Sequence, residues 1–308
     1  MGGGAPTGKS DKKKLRSGRR FEWLFTWLGY KRTRLILPTN EMTTAVTQSQ
    51  INSAIAAMLT SFRDNQWMLN EHWALVESHV RLMIADTVAR FPPGPDTRLL
   101  DVGCFNGYVS IIFKRLGYDV TGADACELED QRALFAESGI EFVRCNMNES
   151  HPFSEIVGQS FDVVIIAQVI EHILNHPLGL IRDLARLMRP GALMILTTPN
   201  PATVMGALRA LTGTSMLWGT QEFIDQPKID ARGIISQGDI HYREYTNAEI
   251  HHLLESAGLH VETSHYLGLG NGNSQSIIKR IVKHNPLTQK LMTSRLFGSN
   301  HYFLARKR

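Results

Sequence analysis

Between Arg98 and Thr197 the chain alternates short apolar runs with helix-period stretches. That alternation restricts the fold more than any other feature. Arg98–Val102 reads as a strand, Val109–Leu116 as a helix closed by Gly117, and Tyr118–Ala123 as a second strand. Glu141–Arg144 gives a third strand. Phe161–Ala167 (FDVVIIA) is the continuous apolar run expected of a parallel strand covered on both faces. Leu180, Ile181, Leu184, Leu187 and Met188 mark the next helix, and Arg189-Pro190-Gly191 is expected to turn the chain into strand Ala192–Thr197. Repeated β-α units of this kind fold as a doubly wound parallel sheet.

In such sheets, ligands bind beyond the carboxyl ends of the strands, where the strand order reverses. The first strand runs into Asp101-Val102-Gly103-Cys104-Phe105-Asn106-Gly107, and its glycines permit a tight turn and close approach to a ligand. The spacing is G-x-x-x-G and not the G-x-G-x-x-G of dinucleotide enzymes. The second strand runs into Asp124, about 20 residues after the loop, where a carboxylate can accept both hydroxyls of a ribose. Together these signals outweigh an incidental strand–turn–helix with an acid nearby. A second phosphate-loop pattern, Gly3-Gly4-Ala5-Pro6-Thr7-Gly8-Lys9-Ser10, has no strand before it and a charged run after it, so it is read as a decoy.

Several segments resemble class I S-adenosylmethionine-dependent methyltransferases. LLDVGCFNGYVS resembles their first motif and VTGADAC their second. FDVVIIAQVIEHILNHPLGLIRDLARLMRPGALMILTTPN resembles the stretch over their fourth and fifth strands. DIHYREYTNAEIHHLLESAGLHVE resembles the H-x-R-x-Y-T-x-x-E-L segment of the small-molecule branch, which includes ubiquinone-biosynthesis and sugar O-methyltransferases. The likeness covers residues 97–266 and a last strand in His301–Arg306. It implies a Rossmann-like, doubly wound, seven-stranded sheet whose last strand is antiparallel, with S-adenosyl-L-methionine as cofactor. It further implies that Asp101, Gly103, Cys104 and Gly107 cradle the methionine part, Asp124 holds the ribose, and Ala125 lies beside the adenine. Asn146 and Met147 would flank the adenine ring, and Gln168 and Val169 would lie near the transferred methyl. The family usually has Asp where Asn146 stands; an amide oxygen can still accept from the adenine amino group, without charge assistance.

Methyl transfer asks mainly for alignment, and a hydroxyl acceptor gains from a base matched to neutral pH. His241 precedes a helix start, where Thr246 and Glu249 form a capping-box pattern, and His172 follows the fourth strand. Each could be the base, each could bond a backbone carbonyl instead, and positioning alone could suffice. His251 and His252 are expected at the surface. No Asn/Asp-Pro-Pro-aromatic motif follows the fourth strand and no cysteine stands where a cytosine-C5 enzyme needs one. No cluster of acids suggests a metal-dependent catechol site, so no metal is expected.

Charge divides the chain. Residues 1–34 hold ten Lys/Arg and two acids, leaving the remainder of this +4 chain at −4. A mildly acidic body lacks the broad positive surface that nucleic-acid binding needs. Residues 1–42 read as a basic, disordered head, whose residues 12–37, with Trp23, Phe25, Trp27 and Tyr30 amid basic residues, could touch an anionic membrane or could simply be a floppy tail. Residues 43–96 read as a helical region and 97–308 as the catalytic domain. An apolar insertion over 201–240, with Met205, Leu208, Leu211, Met216, Leu217, Trp218 and Phe223, reads either as a lid or as packing on the sheet. As a lid it would suit an aromatic, sugar or lipid-linked acceptor. Cys104, Cys126 and Cys145 have neither metal-ligand spacing nor an even count, which fits a reducing, cytoplasmic setting. RNA or protein as methyl acceptor, or a non-catalytic scaffold, are the other readings, and oligomeric state stays open.

Overall fold

The computed structural model describes residues 46–65, 68–125, 129–174, 176–215, 217, 224, 240–268 and 293–308. The basic head, the phosphate-loop decoy, Cys126, Met216, Trp218 and Phe223 lie outside them.

Seven strands form one sheet: β1 (Arg98–Val102), β2 (Asp119–Asp124), β3 (Glu141–Arg144), β4 (Phe161–Ala167), β5 (Met188–Pro199), β6 (Leu259–Leu267) and β7 (Asn300–Lys307). Their spatial order is β3-β2-β1-β4-β5-β7-β6. The first five run parallel, while β7 is antiparallel to both β5 and β6, so the last strand is inserted between its neighbours. The order reverses between β1 and β4, which opens the crevice there. Strand β5 starts earlier than the Arg189-Pro190-Gly191 turn implied. The turn is absorbed into the strand as an irregularity opposite Phe161–Val163, with Gly191 at φ +78° taking the left-handed position.

Apolar residues alternate between the two faces of β1, β4 and β5, so each face has its own core. One core joins Leu100, Val102, Val164, Ile166, Met194 and Leu196 to α5 (Pro177–Leu187) and α7 (Asn247–Ser256). The other joins Leu99, Val163, Ile165, Leu193 and Ile195 to α3 (Tyr108–Leu116) and to the N-terminal helices.

Those helices complete the second face. α1 (Gln48–Ser61) begins at a capping box between Thr47 and Gln50, and α2 (Trp73–Arg90) is preceded by a π-helical turn at Met68–His72. Met58, Met83 and Ile84 are buried against the sheet, and Tyr302 of β7 donates to Asp86 of α2 at 2.9 Å. α4 (Glu129–Ser138) covers β2 and β3. Among the described residues of 201–240, α6 (Val204–Leu211) has no buried residue, and Leu208 and Leu211 face solvent.

Candidate active site

The glycine loop after β1 is tied down from three sides. The N–H groups of Gly103 and Cys104 both donate to the Ala123 carbonyl, at 2.7 and 3.2 Å. Gly107, at φ +87°, is the N-cap of α3, and a Cβ there would overlap the Phe135 ring of α4, so only glycine fits both the backbone and the space. Gly103 is at φ +69° and packs against Val169, which joins the β1 loop to the β4 loop. Beneath the loop, buried Asp101 accepts from Ser110 Oγ at 2.6 Å. Burial pushes its carboxyl up to about 6, partly offset by that hydrogen bond.

Asp124, at the end of β2, accepts the Phe105 N–H at 2.8 Å. Its carboxylate therefore shapes the loop that it would share a ligand with. Gln131 of α4 reaches over the same loop, donating to the Phe105 carbonyl and lying 3.3 Å from Cys104 Sγ. The Cys104 thiol is buried in the core, so only the backbone of this residue can face a ligand. Ala125 follows Asp124 at the crevice edge. Asn146 accepts the Asn148 N–H at 3.1 Å, and Met147 is buried next to it.

Past β4, Gln168 adopts φ +57°, and its side-chain amide lies 3.2 Å from Thr197 Oγ1. Phe105 and Gln168 are the two non-glycine residues with positive φ among those described, and they stand on the two loops that flank the switch point. Strain of this kind persists where surrounding structure imposes it, and it concentrates at functional sites.

These residues fit a nucleoside carrying an amino acid. Two carboxylates and an asparagine amide line the ends of β1, β2 and β3. Asn106, within the loop, is buried with its Oδ1 lacking a hydrogen-bond partner in the described structure.

A second cluster stands across the crevice. The turn after β4 (Ile170–His172) meets the approach loop to α7, because the Glu171 carbonyl accepts the N–H groups of Tyr242 and Arg243 at 2.9 and 3.3 Å. His172 Nδ1 lies 2.6 Å from the Ile240 carbonyl, so this nitrogen donates and Nε2 is the remaining acceptor of a neutral ring. His241 stacks edge-on against His172, with centroids 5.1 Å apart, and its Nδ1 lies 2.9 Å from Glu244 Oε1. The capping box of Thr246 and Glu249 holds the start of α7, with Thr246 N–H donating to Glu249 at 2.8 Å. His251 and His252 are exposed, as expected.

Glu171 was not singled out by the sequence, and it is fully buried. Thr198 donates to its Oε2 at 3.0 Å, while Oε1 has no hydrogen-bond partner among the described residues. Desolvation raises its carboxyl to about 7, with Glu244 adding a little and His241 opposing. One ligating atom from each of Glu171, His172 and His241 lies within 4.8 Å of the others, a spacing that could hold a cation. The sequence shows no acid cluster because Glu171 and Glu244 are far apart along the chain. The only signal available was their place beside the two histidines.

A family model for a methyltransferase domain matches residues 76–264. A ubiquinone biosynthesis O-methyltransferase of Parvibaculum lavamentivorans is 35% identical over 130 residues, 41% of this chain and 49% of that protein. The protein of that name from Agrobacterium fabrum is 30% identical over 215 residues, 65% of this chain and 85% of that protein. Several such relatives are matched over about half their length. Among solved structures, an S-adenosylmethionine-dependent methyltransferase from Mesorhizobium loti aligns with a TM-score of 0.49 at 16% identity, covering 71% of this chain and 94% of that one. The family match runs through the whole crevice from Asp101 to His241, and the chain belongs to the methyltransferase-domain family, of the class I, S-adenosylmethionine-dependent kind.

Proposed function

We propose that this protein transfers a methyl group from S-adenosylmethionine to a hydroxyl of a small aromatic, sugar or lipid-linked acceptor, with His241 as general base. The observation that carries this reading is the 2.9 Å contact between His241 Nδ1 and Glu244. A carboxylate can only accept, so Nδ1 holds a proton and Nε2 presents a lone pair. His172 is the second candidate: its Nδ1 is bonded by the Ile240 backbone carbonyl, which has no charge to stabilise an imidazolium as Glu244 does for His241. Relatives named for O-methylation support a hydroxyl acceptor.

S-adenosylmethionine, when bound, supplies an electrophilic methyl on a sulfonium. Asp101, Gly103, Cys104 and Gly107 would hold its amino-acid part, Asp124 and Ala125 its ribose and the edge of its adenine. Asn146 and Met147 would flank the base, with Gln168 and Val169 beside the sulfur. His241 Nε2 takes the proton of the acceptor hydroxyl, and Glu244 stabilises the resulting imidazolium.

The assignment of residues 1–42 as a dispensable head, 43–96 as a helical region, 97–308 as the catalytic domain and 201–240 as a lid belongs to the same reading. It is supported by composition and by the solvent-facing apolar side chains of α6. No helix among the described residues is long and apolar enough to cross a membrane. Peripheral membrane contact through residues 12–37 is proposed from their aromatic and basic composition. The test is incubation with isotope-labelled S-adenosylmethionine and a panel of phenolic and sugar acceptors, followed by mass spectrometry. Label on a hydroxyl oxygen is expected, whereas label on RNA or protein would overturn the reading.

A further inference from the structure

Phe105 carries an aromatic side chain at a backbone position that favours glycine. Its backbone is left-handed at φ +48°, a conformation that bulky L-residues resist and glycine adopts freely. It is 45% exposed, so its ring adds little to either core. Its backbone is pinned by Asp124 on the N–H and Gln131 on the carbonyl, and neither bond needs the side chain. A glycine would make both bonds without strain.

The neighbours of the ring indicate its use. The ring faces His72, with centroids 6.4 Å apart and planes tilted by 53°. His72 in turn stands edge-on to Tyr108, 5.2 Å away, and Trp73 meets Tyr108 at 6.3 Å. His72 closes the π-helical turn Met68–His72, and such turns recur at functional sites. Met68, from the same turn, takes a contact from Asn106 Nδ2 at 3.4 Å, while Asn106 Oδ1 stays buried without a partner among the described residues. The N-terminal segment thus reaches the glycine loop at Phe105 and Asn106, between the residues that would hold the amino-acid end of the cofactor.

We propose that Phe105 and His72 form an aromatic wall over that end of the S-adenosylmethionine site, making Phe105 a direct cofactor-binding residue and the N-terminal segment part of the pocket. This rests on the cofactor assignment given above. Bound cofactor removes the exposed ring from water, so Phe105 slows release of the ligand.

The test is calorimetry of S-adenosylhomocysteine on the full chain, with stopped-flow release rates and apoprotein melting, for F105G, F105Y, H72A, the F105G/H72A pair and D124A. F105G should bind about 10-fold more weakly, the effect of exposing part of one aromatic ring, with the loss in the release rate. F105Y should bind as the parent does. F105G apoprotein should melt at or above the parent temperature, because strain is relieved. The double variant should lose less than the two single losses together, as expected of one shared wall. Parental affinity in F105G overturns the inference, and so does a lowered melting temperature, which would assign the ring to folding. If D124A weakens binding while F105G does not, the wall alone fails. If neither weakens it, the cofactor site itself has been misplaced.

Discussion

Nδ1 of His241 lies 2.9 Å from Oε1 of Glu244, three residues further along the same loop. Because the carboxylate can only accept, the ring is held as one tautomer with Nε2 free to take a proton. H241A should lower turnover by roughly 10²–10⁴-fold, the usual contribution of a positioned base, while affinity for S-adenosylhomocysteine stays near that of the parent. E244A should give a smaller loss in kcat with an altered pH–rate profile, since it frees the tautomer and removes the imidazolium's partner. Near-parental kcat in H241A, with the true acceptor, would remove His241 from the base role.

The cofactor prediction concerns Asp124. Removing a charged hydrogen-bonding partner of a ligand costs roughly 1–3 kcal/mol, so D124A should weaken S-adenosylhomocysteine by that amount in calorimetry. Part of the loss will come from the loop, because Asp124 also holds the Phe105 N–H. D124N keeps an acceptor oxygen for that N–H and should lose less. Equal affinity in D124A and the parent would mean that the ribose sits elsewhere.

Glu171 gives a stability prediction. Burial raises its carboxyl to about 7 in the folded chain. From the ordinary carboxylate range up to that value, the folded chain keeps a proton that the unfolded chain has released, so this group's contribution falls as pH rises through the window and levels off above it. E171Q cannot ionise and keeps an oxygen for Thr198. Relative to the parent it should therefore gain about 1–3 kcal/mol between low and slightly alkaline pH, read by urea denaturation across pH 4–8. A parallel pH dependence in the two proteins would show that Glu171 does not carry this proton.

His301 gives the opposite sign. It is fully buried on β7, and burial lowers its pKa to about 4. The unfolded chain takes up a proton near 6.5 that the folded chain refuses until about 4, so stability contributed here is present above 6.5 and is lost as pH falls through that range. H301F should flatten the acid limb of the stability curve, and an unchanged limb would assign acid lability to other groups.

A chain beginning at Met42 should fold and bind cofactor with parental affinity, since it retains the Thr47–Gln50 capping box of α1 and every described residue that packs on the sheet. Loss of the folded baseline in circular dichroism would show that the head contributes to the core.

The sequence by itself determined the central sheet and the glycine-loop side of the crevice. β1, β3 and β4 fall where the apolar runs place them, and the glycine loop and Asp124 stand at strand ends. Parallel strands covered on both faces must be apolar throughout, and a turn that only glycine can make must contain glycine, so both leave marks that are local in the chain. Only the tertiary structure decided the rest. Strand β5 begins at Met188, which pairs with Phe161 of β4, so the Arg189-Pro190-Gly191 turn lies within the strand as an irregularity and not before it. Glu171 and Glu244 join the two histidines because the turn after β4 docks on the approach loop to α7, some 70 residues away. The backbone strain at Phe105 and Gln168 is invisible in residue types that ordinarily avoid it. A buried carboxylate near neutrality and a fixed imidazole tautomer are products of desolvation and hydrogen bonding between distant segments, and no local spacing encodes them.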